Sequence, residues 1–263
     1  MKSIAILGCG NIGLSIAEGL LAADSSVSNK LVVTRRNIQS LKFFEERGVE
    51  VTKDNLIAVR KSQIIILAVK PYMVENLLKE IAPELKKDHI LVSVASEVSL
   101  DQISYSINKT NPVFRVMPNT ASAIRESITC ICTKNGTVNE TDEIASLFNC
   151  MGETVVIDEN LMEAATILGA CGIAYVLRFI RAMIQGGIQI GFDAKTATLI
   201  TTQTVKGAAE LLLKNNSHPE QEIDKVTTPK GCTITGLNEM EHQGFSSALI
   251  HGIVKSFQKI EKN

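Results

Sequence analysis

Two rhythms of apolar and polar residues run along this chain, and the point where one gives way to the other divides it. Up to about residue 158, short apolar runs stand at 3–7, 31–34, 49–51, 64–69, 90–94, 113–117, 128–132 and 154–157. They are rich in Ile, Val and Leu. Several are apolar at every position, as strands buried on both faces of a parallel sheet are. Between them, apolar residues recur at helical spacing and predict helices over 11–23, 38–47, 55–61, 73–81, 100–107 and 139–150. Ile12, Ile16, Leu20 and Ala23 form the sheet-facing stripe of the first. Strand and helix in alternation predict an α/β fold, a doubly wound sheet with extra strands ending near Asp158.

From residue 159 no strand-like run recurs. Residues 162–185 read as one long helix, apolar almost all round at its start. Such a helix needs partners on several sides. Further helices are predicted over 193–214, 217–222, from Cys232 or Thr233 onward, and 245–260. This all-α half is too short to cover its own apolar surface, so a subunit interface is expected. The domains are drawn at 1–158 and 159–263.

Composition narrows the classes. A chain of 263 residues with 45% hydrophobic and 21% charged residues holds one large core or two modest ones. A net charge of −1 supplies no basic field for nucleic acid or an anionic membrane. The apolar run 164–177 is short for a bilayer and is closed by Glu163 and Arg178, so no membrane span is expected. With a strand beginning at Ser3, no targeting leader is expected either. The six cysteines include no CxxC pair, although Cys130 and Cys132 alternate on one strand face. Reduced thiols in a cytoplasmic protein without a metal site fit that pattern.

The chemistry begins at the first strand. Gly8-Cys9-Gly10-Asn11-Ile12-Gly13 is GxGxxG between a predicted strand and a predicted helix, the context in which that motif binds a dinucleotide. Gly8 allows the tight turn, Gly10 lets a pyrophosphate approach, and Gly13 lets the helix pack close. The helix N-terminus offers N–H groups and a positive dipole to phosphate. The domain is therefore read as Rossmann-type. A glycine turn without a ligand is the plainer alternative. After the second strand, Thr34-Arg35-Arg36-Asn37 has two guanidiniums where an NAD site usually has an acid. Arginine grips phosphate with a planar fork, so NADP is inferred, NADPH preferred and NADH possible. Ala68-Val69-Lys70-Pro71 closes the fourth strand and should line the crevice. Late in the chain, Pro229 and Gly231 form a turn before a helix. The N–H groups there suit a carboxylate, with Thr228 and Thr233 adding hydroxyls. On spacing alone, an N-capped turn between two helices is the better account of them.

That last stretch, Thr228-Pro229-Lys230-Gly231-Cys232-Thr233, resembles the signature turn of the pyrroline-5-carboxylate reductases. The glycine motif, Ala68-Val69-Lys70-Pro71, Arg115-Val116-Met117-Pro118-Asn119-Thr120, and Gly172 with Ala174-Tyr175 agree in order. The resemblance implies an N-terminal cofactor domain followed by an all-α substrate-binding and dimerisation domain. It implies NADPH-dependent reduction of the cyclic imine Δ1-pyrroline-5-carboxylate to L-proline, with no metal. Thr233 is the implied catalytic hydroxyl at the ring nitrogen. Thr228, Lys230, Gly231, Cys232 and Thr233 are the implied substrate residues. Asn55 and Asn119 join Thr34, Arg35, Arg36 and the residues from Ala68 to Pro71 as implied cofactor contacts. A homodimer through the C-terminal helices is implied, with further assembly open. The chain departs from the pattern at Ala121, Lys230, Cys232 and 169–173. Those departures leave open a reductase of another imine or ketone, or a cofactor-binding regulator without catalysis. A hydroxyacid dehydrogenase fits less well, because Lys195 and Lys206 lack the expected Lys-x-x-Asn setting.

Overall fold

The computed structural model describes residues 2–261. These residues form two compact units, one of residues 2–171 with 259–261, the other Gly172–Gln258.

The first unit is built on one eight-stranded sheet in the order β3-β2-β1-β4-β5-β6-β7-β8. Its strands are β1 (Ile4–Leu7), β2 (Leu31–Thr34), β3 (Glu50–Thr52), β4 (Ile64–Leu67), β5 (Ile90–Ser93), β6 (Val113–Met117), β7 (Ser127–Lys134) and β8 (Gly152–Val156). Among the described residues only the β6–β7 pair is antiparallel. The first six strands have the order typical of dinucleotide-binding sheets, which reverses between β1 and β4. The helices are α1 (Asn11–Ala23), α2 (Lys42–Glu45), α3 (Asn55–Lys61), α4 (Pro71–Ile81), α5 (Leu100–Ile107), α6 (Val138–Asn149) and α7 (Met162–Ala165).

Strand alternation explains why there are two cores. Ile4, Ile6, Ile64 and Ile66 point to one face, where Ile16 and Leu20 of α1 and Phe148 of α6 cover them. Ala5, Leu7, Ile65 and Leu67 point to the other, against Leu77 and Leu78 of α4 and Ile103 of α5. Each such Ile or Leu contributes about 1.5–3 kcal/mol by leaving water. Burial on both faces is why these runs read as continuous apolar segments.

Three expectations are corrected. The helix read over 38–47 is a 3-10 turn, Ile38–Leu41, followed by the short α2. The Asn37 side chain caps that turn by accepting from the Gln39 N–H at 3.1 Å. The helix read over 162–185 begins as α7 and passes through a π-helical stretch, Thr166–Cys171. There the Asn119 amide donates to the Gly169 carbonyl at 3.2 Å, engaging a carbonyl otherwise left to the helix ladder. Finally, the helical run Glu159–Gln189 contains an 18-residue window with a mean hydropathy of 1.7 and is long and apolar enough to cross a membrane by length and composition alone. The expectation of a short run stopped at Arg178, but the helix continues past it.

The second unit is helical: α8 (Gly172–Gln189), α9 (Ala194–Asn215), α10 (Pro219–Lys225), α11 (Cys232–His242) and α12 (Phe245–Ile260). A Cβ on Gly187 of α8 would meet the Cβ of Ala197 on α9 at 3.2 Å, so those two helices pack closely. The Tyr175 hydroxyl donates to Ser256 Oγ at 2.8 Å and ties α8 to α12. Much of the apolar surface stays exposed, including Leu177, Leu199, Leu213 and Ile250.

Candidate active site

A cleft of about 930 Å³ opens beyond the carboxyl ends of β1, β2 and β4. Its floor is the glycine turn. Gly8 has φ of +90°, and a Cβ there would sit 2.4 Å from Val69 Cγ1, so only glycine fits. The turn spends its own N–H groups. Gly8 N–H donates to Thr34 Oγ1 at 3.2 Å. Cys9 N–H donates to the Thr34 carbonyl and Gly10 N–H to the Gly8 carbonyl, both at 2.7 Å. The donors left over belong to the first turn of α1, at Asn11, Ile12 and Gly13, which has neither a side-chain cap nor an acid. A Cβ on Gly10 would meet nothing within 4 Å, so the backbone there is open to an approaching ligand. Gly13 lies close to Ile6 and Ala68, with 3.3 Å to a notional Cβ, and sets the packing of helix on strand.

Arg35, Arg36 and Asn37 line the cleft together after β2. Lys53 lines it from the end of β3 and was not singled out from the sequence. It directly precedes Asp54, which caps α3 by accepting from the Leu56 and Ile57 N–H groups at 2.8 and 3.1 Å. The cap leaves Asn55 free to face the cleft. Asn55 Oδ1 accepts from the Thr34 hydroxyl at 2.7 Å, and its Nδ2 donates to Glu80 Oε1 at 3.2 Å. Ala68, Val69, Lys70 and Pro71 form another wall, with Val94, Ala95, Ser96 and Thr120 beside them. Pro71 occupies the first position of α4, where its missing N–H costs nothing.

Two residues expected at the cofactor are not among those lining the cleft. Cys9 is 0% exposed, and burial pushes its thiol up to about 12. It contributes backbone to the turn and packs its side chain in the core. Asn119 is 5% exposed. Its Oδ1 accepts from Ala121 N–H at 2.9 Å, and its Nδ2 is held by Gly169. Thr120 faces the cleft in its place.

In the helical unit, the stretch before α11 folds as a tight turn. Gly231 N–H donates to the Thr228 carbonyl at 2.9 Å. That N–H is therefore spent, which corrects its expected part in holding a carboxylate. The free donors are those of the first turn of α11, at Cys232, Thr233 and Ile234, where no side chain caps the helix. The left-handed position falls on Lys230, with φ of +61°, and not on Gly231. Thr228, Lys230 and Cys232 are exposed, and Thr233 is half-buried. Among the described residues no group of three or more His, Cys, Asp or Glu side chains could hold a metal ion.

A family model described as "Pyrroline-5-carboxylate reductase dimerisation" matches residues 159–263. Another, "NADP oxidoreductase coenzyme F420-dependent", matches 3–97. Pyrroline-5-carboxylate reductase 2 of Dictyostelium discoideum is 45% identical over 278 residues, covering 100% of this chain and 93% of the relative. Pyrroline-5-carboxylate reductase 1 of the same organism is 46% identical over 98% of this chain, which spans 49% of that relative's length. Among solved structures, the Plasmodium falciparum pyrroline carboxylate reductase with NADP bound superposes with a TM-score of 0.91. It is 25% identical and the match covers 99% of this chain and 97% of that one.

Proposed function

The chain belongs to the pyrroline-5-carboxylate reductase family, and we propose on that premise that it reduces Δ1-pyrroline-5-carboxylate to L-proline with NADPH. The observation that carries the cofactor half is the charge pattern of the cleft. An uncapped helix N-terminus opens on it, and Arg35, Arg36 and Lys53 line it. Pyrophosphate is suited to the Asn11 and Ile12 N–H groups, and a 2′-phosphate to the three cations. Kinship along the full chain supports the substrate half.

The nicotinamide, when bound, supplies a hydride. The rest falls to the chain's own residues. An imine carbon accepts hydride once its nitrogen carries a proton, so the protein must orient the ring, anchor its carboxylate and hold that proton. The Cys232 and Thr233 N–H groups and the Thr228 hydroxyl anchor the carboxylate. The Thr233 hydroxyl holds the proton at the ring nitrogen. Lys230 adds a cation to the same turn. Val69, Lys70 and Pro71 shape the cofactor wall.

The proposal assigns residues 1–158 to the cofactor and 159–263 to substrate and dimerisation. A homodimer accounts for the exposed apolar helices, and dimers can assemble further through what remains uncovered. The free cysteines suit a cytoplasmic location. The test is to incubate the protein with NADPH and pyrroline-5-carboxylate and to separate the products. L-Proline should appear mole for mole with NADPH consumed. Bound NADPH with no proline would overturn the substrate assignment.

A further inference from the structure

One acid in the cleft has no part in the reaction above. Glu80 stands in the last turn of α4 and lines the cleft with Arg35, Arg36 and Lys53. Every hydrogen bond leading to it has a forced direction. Gly8 N–H can only donate, to Thr34 Oγ1 at 3.2 Å. The Thr34 hydroxyl then has its single proton for Asn55 Oδ1, at 2.7 Å. With its oxygen so engaged, the Asn55 amide presents Nδ2 to Glu80 Oε1, at 3.2 Å. The series fixes where the carboxylate sits and leaves its second oxygen with acceptor capacity.

Nearby acids are neutralised and Glu80 is not. Glu75 pairs with Lys79, Glu84 with Arg60, and Glu50 with Lys61, each at 2.6 Å. Among the described residues Glu80 has no ion pair, although cations line the same cleft. A carboxylate held in the cleft by one amide and no ion pair keeps its second oxygen to accept from a ligand. Dinucleotide sites usually place such an acid after the second strand, where it receives a ribose hydroxyl. Here Arg35 and Arg36 stand there, and the acid arrives from α4 instead.

We propose that Glu80 accepts a hydrogen bond from the adenosine ribose and so sets how far the cleft favours NADPH over NADH. A free 2′-hydroxyl donates to it. A 2′-phosphate has nothing to donate and is repelled. Glu80 thereby moderates the preference that Arg35, Arg36 and Lys53 create, and is a specificity-determining residue. This rests on the reading of the cleft as a nicotinamide dinucleotide site.

The test compares the wild type, Glu80→Gln and Glu80→Ala by fluorescence titration with NADPH and with NADH. Gln keeps an acceptor for Asn55 and removes the charge. Glu80→Gln should bind NADPH more tightly and NADH more weakly, moving their affinity ratio by about tenfold, as the loss of one charge-assisted hydrogen bond would. Glu80→Ala should show the same shift in ratio on top of a weaker grip on both. An unchanged ratio in both variants, or equal weakening of both cofactors, overturns the proposal and leaves Glu80 a prop for Asn55. Turnover of pyrroline-5-carboxylate by the wild type is measured alongside. If it is absent while both cofactors bind, the substrate assignment fails and the affinity ratio still decides the role of Glu80.

Discussion

Thr233 shows how a single side chain is placed by its surroundings. The turn from Thr228 to Gly231 closes on its own hydrogen bond, and α11 starts one residue before Thr233. The hydroxyl thus sits in the first helical turn beside unsatisfied N–H groups. Thr233→Ala is expected to lower turnover roughly 10²-fold, the low end for a lost proton-transfer partner. Steady-state rates check it, and an unchanged kcat removes Thr233 from the chemistry. His89 tests the structural side. It is 2% exposed, and its Nδ1 accepts from Lys86 N–H at 3.3 Å. Burial holds its pKa below the usual histidine value. On acidification through that usual value the unfolded chain takes up a proton that the folded chain refuses. Stability should fall between about pH 7 and about pH 5. Thermal melts of His89→Asn should lose part of that dependence, and an identical pH profile would contradict it. At this scale, the glycine motif and the two arginines were legible because their chemistry follows from residue type and place after a strand. Lys53 and Glu80 were not. They reach the cleft only through the ends of β3 and α4, which no local spacing encodes. Asn119 was expected at the cofactor from the family resemblance alone, and its buried hydrogen bonds to Ala121 and Gly169 follow from contacts that its own segment does not encode.

At the level of elements, the block Arg115-Val116-Met117-Pro118-Asn119 acts as a double clamp. Arg115 is 3% exposed and donates to Glu159 at 3.1 Å and to Glu163 at 2.8 Å. Glu159 also accepts from Leu100 N–H, at 2.7 Å. Asn119 holds Gly169 four positions along β6 and its exit. Together they fasten the helical run 159–171 to the sheet. Arg115→Ala should therefore cost about 2–3 kcal/mol, since it strands two partly buried carboxylates. Arg115→Met should cost less, because it refills the apolar space. Urea unfolding midpoints check both, and an unshifted midpoint for the alanine variant would refute the clamp. The buried strands were readable from the sequence because β1, β4 and β5 are apolar on both faces. The π-helical stretch was not, because it depends on an amide fifty residues away from Gly169. The turn at 38–41 escaped as well: its apolar residues keep helical spacing, and only the Asn37 cap betrays the tighter geometry.

For the whole molecule, alternation of strands and helices was enough to give the sheet and its two cores. The strand order beyond β6 was not readable, since an antiparallel β7 and a parallel β8 leave no trace in residue type. The helical half shows the opposite limit. Its apolar faces were evident, but within one chain they stay exposed. A dimer that persists on dilution is expected, with Glu159–Gln189 contributing to its interface, because only 11% of that run's apolar window is buried within one chain. Light scattering across a dilution series checks this, and a monomer at every concentration would contradict it. Both halves of the molecule serve one reaction, the reduction of a cyclic imine by a cofactor carrying a 2′-phosphate. Its most direct test is the rate of NADPH oxidation with pyrroline-5-carboxylate, set beside the rate with NADH. Rapid oxidation of NADPH and a lower kcat/KM for NADH are expected. Oxidation of neither, or a preference for NADH, would contradict it.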